Sequence, residues 1–284
     1  MQNQKKQIEE VPIVFQDGVK TKITYFRTSR NEIPTIILPA MGIRGSYYYR
    51  LGNEIQKKGF PVIIMDYRGY GLSSVRASRE IDFGFREWLS DLHFAIKIFR
   101  NRFSIDKINL LGHSIGGQLA CLFAARHPEI IGKVVLVGSG LPYYKTWKGW
   151  GKLKLWIGGN LSKFISNAVG YFPGELTGFA GRESRSCMQD WSKIVKTGKY
   201  KIKNDSFNYE LAMSSVLITI QAISFPEDNL APPYTTNLLL DKFQASIDKN
   251  HKVIEGFDHF NWTKNPLDFL NKSNIFYSDS SDSG

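Results

Sequence analysis

Four short, mainly apolar runs, separated by segments with helical periodicity, restrict the fold of this chain more than any other feature. The runs are residues 35–38, 61–65, 108–111 and 134–137. A strand without polar alternation is typical of a sheet whose two faces are both covered by helices. Strands that alternate with helices along the chain therefore predict an α/β fold with a doubly wound, mostly parallel sheet.

The remaining elements extend the predicted sheet to eight strands. Residues 11–15 and 21–26 flank Asp17-Gly18, a pair that is typical of a tight antiparallel hairpin. Two further strands are predicted over residues 215–220 and 251–254. Helices are predicted over residues 47–58, 85–102 and 115–127, where apolar residues recur at spacings of three and four.

The alternation of strands and helices stops after Gly138 and resumes near residue 206. Residues 139–205 are rich in Trp, Lys and Gly and carry no strand signal, so we expect an insertion between two strands rather than an independent domain. The predicted core then consists of residues 1–138 and 206–276. The last residues, 277–284, are too polar to pack, and we expect them to be disordered.

The composition excludes several classes of protein. With 42% hydrophobic residues in 284 positions, the chain has enough apolar side chains for a sizeable core and is not mainly disordered. Two cysteines are too few for a disulfide-stapled secreted domain or a cysteine-rich zinc module. The first ten residues contain no apolar signal-peptide core, and no run approaches about 18 apolar residues, so we expect a cytoplasmic protein.

A Gly-x-Ser-x-Gly sequence, Gly112-His113-Ser114-Ile115-Gly116, lies between a predicted strand and a predicted helix. In a sharp strand-to-helix turn the serine adopts a strained backbone conformation, and small residues two positions before and after it avoid clashes. Ser114 is then a candidate nucleophile, and the Ile115 N–H at the helix start is a candidate donor to an oxyanion. The alternative is a glycine-rich helix start in which Ser114 serves only as a cap.

A serine nucleophile needs a base, and the base needs a carboxylate that orients it. Of the five histidines, His259 follows the last predicted strand, at the carboxyl edge where open α/β sheets form their sites. The loop after the preceding strand supplies Asp228 and, as a fallback, Glu227. The alternative for both acids is a solvated turn. His113 adjoins the serine in sequence and is expected to point away from it.

These residues together resemble the α/β-hydrolase superfamily, over about residues 11–270. The order Ser114, Asp228, His259 is the order of that superfamily's triad along the chain. Residues 66–71, Asp-Tyr-Arg-Gly-Tyr-Gly, are similar to its turn after the fourth strand, and residues 106–114 are similar to its strand and turn before the nucleophile. Within the superfamily the chain looks most like the branch of serine aminopeptidases and monoacylglycerol lipases.

The resemblance implies further features of the site. Residues 38–42, Leu-Pro-Ala-Met-Gly, stand where the family usually has His-Gly, which assigns the second oxyanion donor to the Met41 N–H. Residues 139–205 would form a helical cap over the site, inserted after the sixth strand. No zinc-ligand spacing, phosphate-binding glycine loop or dinucleotide fingerprint is present, so neither a cofactor nor a metal is expected.

Basic residues are concentrated in this predicted cap. Residues 145–205 hold ten lysines and two arginines against four acids, which is +8 of the total net charge of +11. Residues 143–156 interleave aromatic side chains with lysines. The segment is interpreted either as a solvated lid or as a surface that associates weakly with anionic membranes. Nucleic-acid binding is a third interpretation, but no recognised module is present and no nucleic-acid partner is expected.

The leading functional hypothesis is a serine hydrolase that cleaves a small-molecule acyl ester with an apolar chain through an acyl-enzyme intermediate. The same triad would serve an amidase, a peptidase or an acyltransferase, so these alternatives stay open. A third hypothesis is a catalytically idle α/β-hydrolase fold that only binds a partner. The presence of Ser114, Asp228 and His259 together argues against an idle fold.

Overall fold

The four apolar runs lie side by side at the centre of one sheet. The computed structural model describes residues 8–246 and 248–276. Within them the chain forms ten strands: β1 (Ile8–Val14), β2 (Lys20–Phe26), β3 (Thr35–Leu38), β4 (Val62–Met65), β5 (Ile108–His113), β6 (Ile131–Val137), β7 (Tyr171–Pro173), β8 (Arg182–Ser184), β9 (Thr219–Ser224) and β10 (Asp248–Val253).

Eight of these strands form the main sheet, in the order β1-β2-β4-β3-β5-β6-β9-β10. The β1–β2 and β2–β4 pairs are antiparallel, and every other neighbouring pair in this sheet is parallel. The predicted hairpin around Asp17-Gly18 is the antiparallel β1–β2 pair. The predicted mostly parallel, eight-stranded sheet is therefore confirmed.

Helices cover both faces of the sheet. The α-helices of the described residues are α1 (Tyr49–Lys57), α2 (Phe85–Phe103), α3 (Ile115–Arg126), α4 (Gly149–Val169), α5 (Arg185–Thr197), α6 (Tyr209–Ser215), α7 (Pro233–Leu240) and α8 (Pro266–Ser273). Of these, α4 and α5 lie in the segment between β6 and β9 and contact each other. Successive residues of a strand point to opposite faces. Ile36 and Leu110 accordingly pack in the core that contains α2 and α3, whereas Ile37 and Leu111 pack in the core that contains α1 and α8.

Four strands start at least three residues away from the predicted position. β1 already includes Ile8 instead of starting at residue 11, and β6 begins at Ile131 instead of residue 134. The strand predicted over residues 215–220 was placed too early, because α6 extends to Ser215 and the strand begins only at Thr219. The side chain of Asn208 caps α6 by accepting from the Leu211 N–H, which fixes where that helix starts. The last strand starts at Asp248 instead of residue 251, since its polar edge residues hide the strand pattern.

The segment between β6 and β9 contains more than the helices expected of a cap. It includes the antiparallel hairpin of β7 and β8, which was not predicted because residues 139–205 carry no strand signal. Phe172, Met188 and Trp191 of this segment belong to the same buried core as α2 and α3. The division into a core of residues 1–138 and 206–276 and a cap of residues 139–205 stays a prediction. Residues 277–284, expected to be disordered, lie outside the described residues.

Candidate active site

The turn between β5 and α3 holds Ser114 in an unusual backbone conformation, with φ of 55° and ψ of −119°. Its N–H donates to the Val137 carbonyl oxygen at 3.0 Å, which ties the turn to β6. The flanking glycines allow the sharp turn: a Cβ at Gly116 would lie 2.1 Å from the Leu38 carbonyl oxygen, and one at Gly112 would lie 2.4 Å from Gly116. A positive φ in a residue other than glycine is strained and is typical of functional sites.

The structure pairs His259 with Asp228 and leaves Glu227 on the surface. His259 Nδ1 lies 2.7 Å from Asp228 Oδ2, and both side chains are buried. The other carboxylate oxygen of Asp228 accepts from the backbone N–H groups of Leu230 and Ala231, each at 2.8 Å. The two backbone N–H groups hold one carboxylate oxygen of Asp228, which leaves the other oxygen directed at the imidazole. Glu227 is exposed to solvent.

Ser114 and His259 line one cavity of about 420 Å³. Among the described residues no hydrogen bond joins the Ser114 hydroxyl to the imidazole. Such bonds between catalytic groups often shorten only in the substrate complex. The walls of the cavity are mainly apolar or small, and Lys154 is the only Lys, Arg, Asp or Glu among the lining residues.

A larger cleft, of about 620 Å³, lies elsewhere and contains none of these residues. Its arginines are paired with acids: Arg68 with Asp91 and Asp17, and Arg126 with Asp205. The third arginine of its lining, Arg86, pairs with Glu87, so each of the three arginines of this cleft has an acidic partner. Among the described residues there is also no group of three or more His, Cys, Asp or Glu side chains arranged to hold a metal ion.

Both residues predicted to supply oxyanion donors, Met41 and Ile115, also line the 420 Å³ cavity. Ile115 is the first residue of α3, where a backbone N–H has no acceptor inside the helix. In the loop after β3, the N–H of Ala40 already donates to the Tyr48 hydroxyl at 3.0 Å. The next N–H along that loop belongs to Met41.

A buried chain of hydrogen bonds behind the site was not predicted. His113 Nε2 lies 2.7 Å from the carbonyl oxygen of His259, and its Nδ1 lies 2.7 Å from the Tyr48 hydroxyl. Burial lowers the pKa of His113 well below its usual value, so the ring is neutral. Because a carbonyl only accepts, Nε2 carries the proton, Nδ1 accepts from Tyr48, and Tyr48 accepts from Ala40.

This chain connects the backbone of the base to the loop that contains Met41. His113 does point away from Ser114, as expected, but it also holds the His259 backbone in place. Trp262 Nε1–H donates to the same His259 carbonyl at 3.2 Å. The sequence signal that could have shown this role is the position of His113 at the end of a strand that is buried throughout.

A second buried group, Glu183 of β8, links the segment after β6 to the loop after β3. It accepts a hydrogen bond from the Tyr70 hydroxyl and another from the Gly181 N–H at 3.0 Å. A Cβ at Gly42 would lie 2.3 Å from the Gly181 nitrogen, so the loop after β3 packs directly against the backbone that Glu183 holds. Glu183 therefore supports the backbone immediately after Met41. Burial raises the pKa of this carboxyl to about 7.

We expect Tyr48→Phe to lower the free energy of unfolding by about 1–3 kcal/mol, because it leaves the Ala40 N–H and His113 Nδ1 buried without a partner. Urea denaturation measures this loss. Tyr47→Phe is the matched control: the Tyr47 hydroxyl donates to the Phe260 carbonyl at the surface, so its loss should cost less than about 1 kcal/mol. Equal losses in the two variants would contradict the role given to Tyr48.

We expect Glu183→Gln to flatten the pH dependence of stability between pH 4.5 and about 7. In this window the folded state keeps the Glu183 proton, whereas the unfolded chain, with the ordinary pKa of 4.5, releases it. The folded state binds more protons, so this carboxyl makes stability fall as pH rises, by an amount on the order of 3 kcal/mol. Glutamine does not ionise, and urea denaturation at a series of pH values measures the difference.

Glu255→Gln, at an exposed position outside this hairpin, is the control and should not show the flattening expected of Glu183→Gln. Asp190, whose pKa burial raises to about 6, contributes a similar fall in all three proteins. A Glu183→Gln profile as steep as that of the wild type would show that Glu183 is not the titrating group.

Comparison with known proteins identifies the fold family of the chain. A family model described as alpha/beta hydrolase fold matches residues 34–261. A 2-hydroxy-6-oxononadienedioate/2-hydroxy-6-oxononatrienedioate hydrolase of Paraburkholderia phymatum is 29% identical over 131 residues, which are 45% of this chain and 43% of that protein. A 1-acylglycerol-3-phosphate O-acyltransferase of Arabidopsis thaliana is 27% identical over 162 residues, covering 45% of this chain and 37% of that protein. The chain thus aligns with less than half the length of these relatives.

Solved structures match over nearly the whole chain. A monoacylglycerol lipase of Paleococcus ferrophilus has a TM-score of 0.62 at 15% identity, covering 88% of this chain and 96% of that one. An esterase of Exiguobacterium antarcticum has a TM-score of 0.63 at 17% identity, covering 93% and 97%. At such identities these likenesses show the fold alone. With the family match over residues 34–261, they establish that the chain belongs to the alpha/beta hydrolase fold family.

Proposed function

We propose that this protein is a serine hydrolase that cleaves carboxylic esters of apolar acyl groups through a covalent acyl-enzyme. One observation carries the proposal: the strained Ser114 and the Asp228-paired His259 line the same apolar cavity. A structural serine has no need of a positive φ at the wall of a cavity. A solvated acid–histidine pair would not be buried and oriented by two backbone donors.

In the proposed mechanism, His259 Nε2 takes the Ser114 proton as the serine oxygen attacks the ester carbonyl carbon. Asp228 accepts from Nδ1–H, which keeps Nε2 as the basic nitrogen and stabilises the imidazolium that forms. The imidazolium then protonates the leaving alcohol as the carbon–oxygen bond breaks. Water, deprotonated by His259, then attacks the carbonyl carbon of the acyl-enzyme. The bond from that carbon to the serine oxygen breaks, the imidazolium returns its proton to Ser114, and the carboxylic acid leaves.

The negative charge on the carbonyl oxygen would be stabilised by the N–H groups of Met41 and Ile115. The Ile115 N–H lies at the start of the 12-residue helix α3, where the helix dipole adds a partial positive charge. Glu183 and Tyr48 act on this loop only through its backbone, so they are positioning residues. All of these steps use groups of this chain.

The cavity supports an apolar acyl group as the substrate. Ile115, Leu155 and Trp191 contribute apolar surface, and Lys154 is the only lining residue with a permanent charge. The hydrolase of Paraburkholderia phymatum is named for a dioate, a substrate with two carboxylates that would favour more than one cationic partner. The cavity composition therefore favours a neutral ester over such a dianion. Amide hydrolysis and acyl transfer would use the same acyl-enzyme. Activity assays therefore distinguish these two reactions from ester hydrolysis.

The cytoplasmic location expected from the sequence is part of this proposal. Cys121 and Cys187, both buried, carry free thiols, as is usual for proteins of reducing compartments. Among the described helices, none has the length and hydrophobicity needed to cross a bilayer.

A fluorophosphonate probe tests the proposed nucleophile. The wild type should be labelled and should hydrolyse p-nitrophenyl esters faster than aminoacyl anilides, because the apolar cavity favours acyl chains. Ser114→Ala should abolish labelling and lower ester turnover by about four to six orders of magnitude, with an unchanged circular dichroism spectrum. Equal labelling of the two proteins would overturn the mechanism, and faster cleavage of anilides would replace the esterase by an amidase.

Asp228→Asn and Glu227→Gln form a matched pair that tests the orienting acid. Asp228→Asn should lower kcat by about four orders of magnitude, because an amide favours the wrong tautomer of His259. Glu227→Gln changes an exposed neighbour and should lower kcat less than tenfold. Steady-state kinetics on a p-nitrophenyl ester measures both, and the reverse ranking would move the role to Glu227.

A further inference from the structure

The helix α4 has the reverse of the usual amphipathic pattern. Its buried residues are the small Gly159, Ser162 and Ser166. Its large apolar side chains point into solvent instead: 74% of Trp150 and 70% of Phe164 are exposed. A helix that only covers a core buries its large apolar residues and exposes its polar ones. The sequence of α4 is therefore arranged for contact on its outer side.

Of the seven exposed large apolar residues of α4, Trp156 and Val169 stand apart and the other five form one continuous stripe. The five are Trp150, Leu153, Ile157, Leu161 and Phe164, each at least 43% exposed. Their spacings of three, four, four and three residues place them on one face of the helix, over a length of about 21 Å. Contiguous apolar surface of this extent on a folded protein marks an interaction site. We call these five residues the α4 stripe.

Positive charge lies on the same helix as the α4 stripe and on the residue before that helix. Lys148 and Lys152 are exposed and Lys163 is partly exposed, and α4 contains no acidic residue. Among the described residues none of these three lysines forms an ion pair. Unpaired lysines beside a tryptophan-containing apolar face are the composition of helices that lie in the interface of an anionic membrane.

The structure corrects which residues of this segment face outward. The sequence grouped Trp147, Trp150 and Trp156 with four lysines as one membrane-facing stretch. Trp147 lines the 420 Å³ cavity together with Gly151, whereas Trp150 and Trp156 are exposed. Lys154 also lines the cavity but stays exposed to solvent. One side of α4 is thus a wall of the cavity, and the α4 stripe lies on its exposed side.

We propose that the α4 stripe docks on an anionic lipid surface, with its apolar side chains in the interface and Lys148, Lys152 and Lys163 at the headgroups. A second copy of the chain is a poorer partner, because two stripes brought face to face would also bring unpaired lysines together. Nucleic acid would match the charge but not the apolar side chains. Docking does not depend on the proposed hydrolysis, since none of these residues belongs to the catalytic groups.

Co-sedimentation of the full chain with phosphatidylglycerol vesicles and with phosphatidylcholine vesicles tests the proposal. We expect binding to phosphatidylglycerol alone, weakened when salt rises from about 0.05 to about 0.5 M. Replacing Lys148, Lys152 and Lys163 by glutamine should lower the partition coefficient more than about tenfold. Trp150→Gln with Phe164→Gln should do the same. Ser114→Ala should bind like the wild type, so that loss of hydrolysis and loss of docking are read separately.

Two control variants carry matched changes outside α4. The first control replaces three exposed lysines, Lys97, Lys107 and Lys249, by glutamine, which lowers the net charge as much as the α4 lysine variant does. The second control replaces the exposed Leu211 and Leu267 by glutamine, which matches the loss of two apolar side chains from the α4 stripe. Both controls should bind phosphatidylglycerol like the wild type. Failure of the wild type to bind, or equal loss in the controls, would overturn the proposal. A third result would also overturn it. In that case the wild type forms a dimer in light scattering, the Trp150→Gln/Phe164→Gln variant is a monomer, and neither protein binds vesicles.

Discussion

The close approach of Gly116 to the end of β3 is the contact on which the rest of the site depends. A Cβ at Gly116 would come within 2.1 Å of the Leu38 carbonyl oxygen, so only glycine lets α3 start against this strand. The approach brings the Ile115 N–H and the loop after β3 to the same cavity. The turn is fixed from β6 as well, since the Ser139 hydroxyl donates to the Ser114 carbonyl at 2.8 Å. Three adjacent strands thus hold one strained residue.

The buried hydrogen bonds behind this turn fix the groups that the proposed reaction needs. Tyr48 and His113 connect the backbone of Ala40 to that of His259, so the loop after β3 and the base are held by one network. The ring centroids of His113 and His259 are 4.9 Å apart. Because burial keeps His113 neutral, it would not repel the imidazolium that His259 becomes in the proposed mechanism. A charged histidine at this position would oppose that step.

The sheet could be predicted from the sequence because its central strands are buried on both faces, and such strands consist mainly of apolar residues. The turn at Ser114 could be predicted as well, since its glycines are required by local backbone contacts. The roles of Tyr48 and Glu183 could not, because their partners lie 65 and 113 residues away along the chain. Likewise, the outward face of α4 depends on which side of the helix meets α5, and spacing alone does not determine that side.

The central claim is that Ser114 forms a covalent acyl-enzyme, and a rapid acid quench tests it most directly. The protein is mixed with a p-nitrophenyl ester, quenched within the first turnover and digested, and the peptides are analysed by mass spectrometry. The account predicts up to one acyl group per chain, on the peptide that contains Ser114, and none on Ser114→Ala. Ester turnover without an adduct on that peptide, or an adduct on another residue, would contradict it.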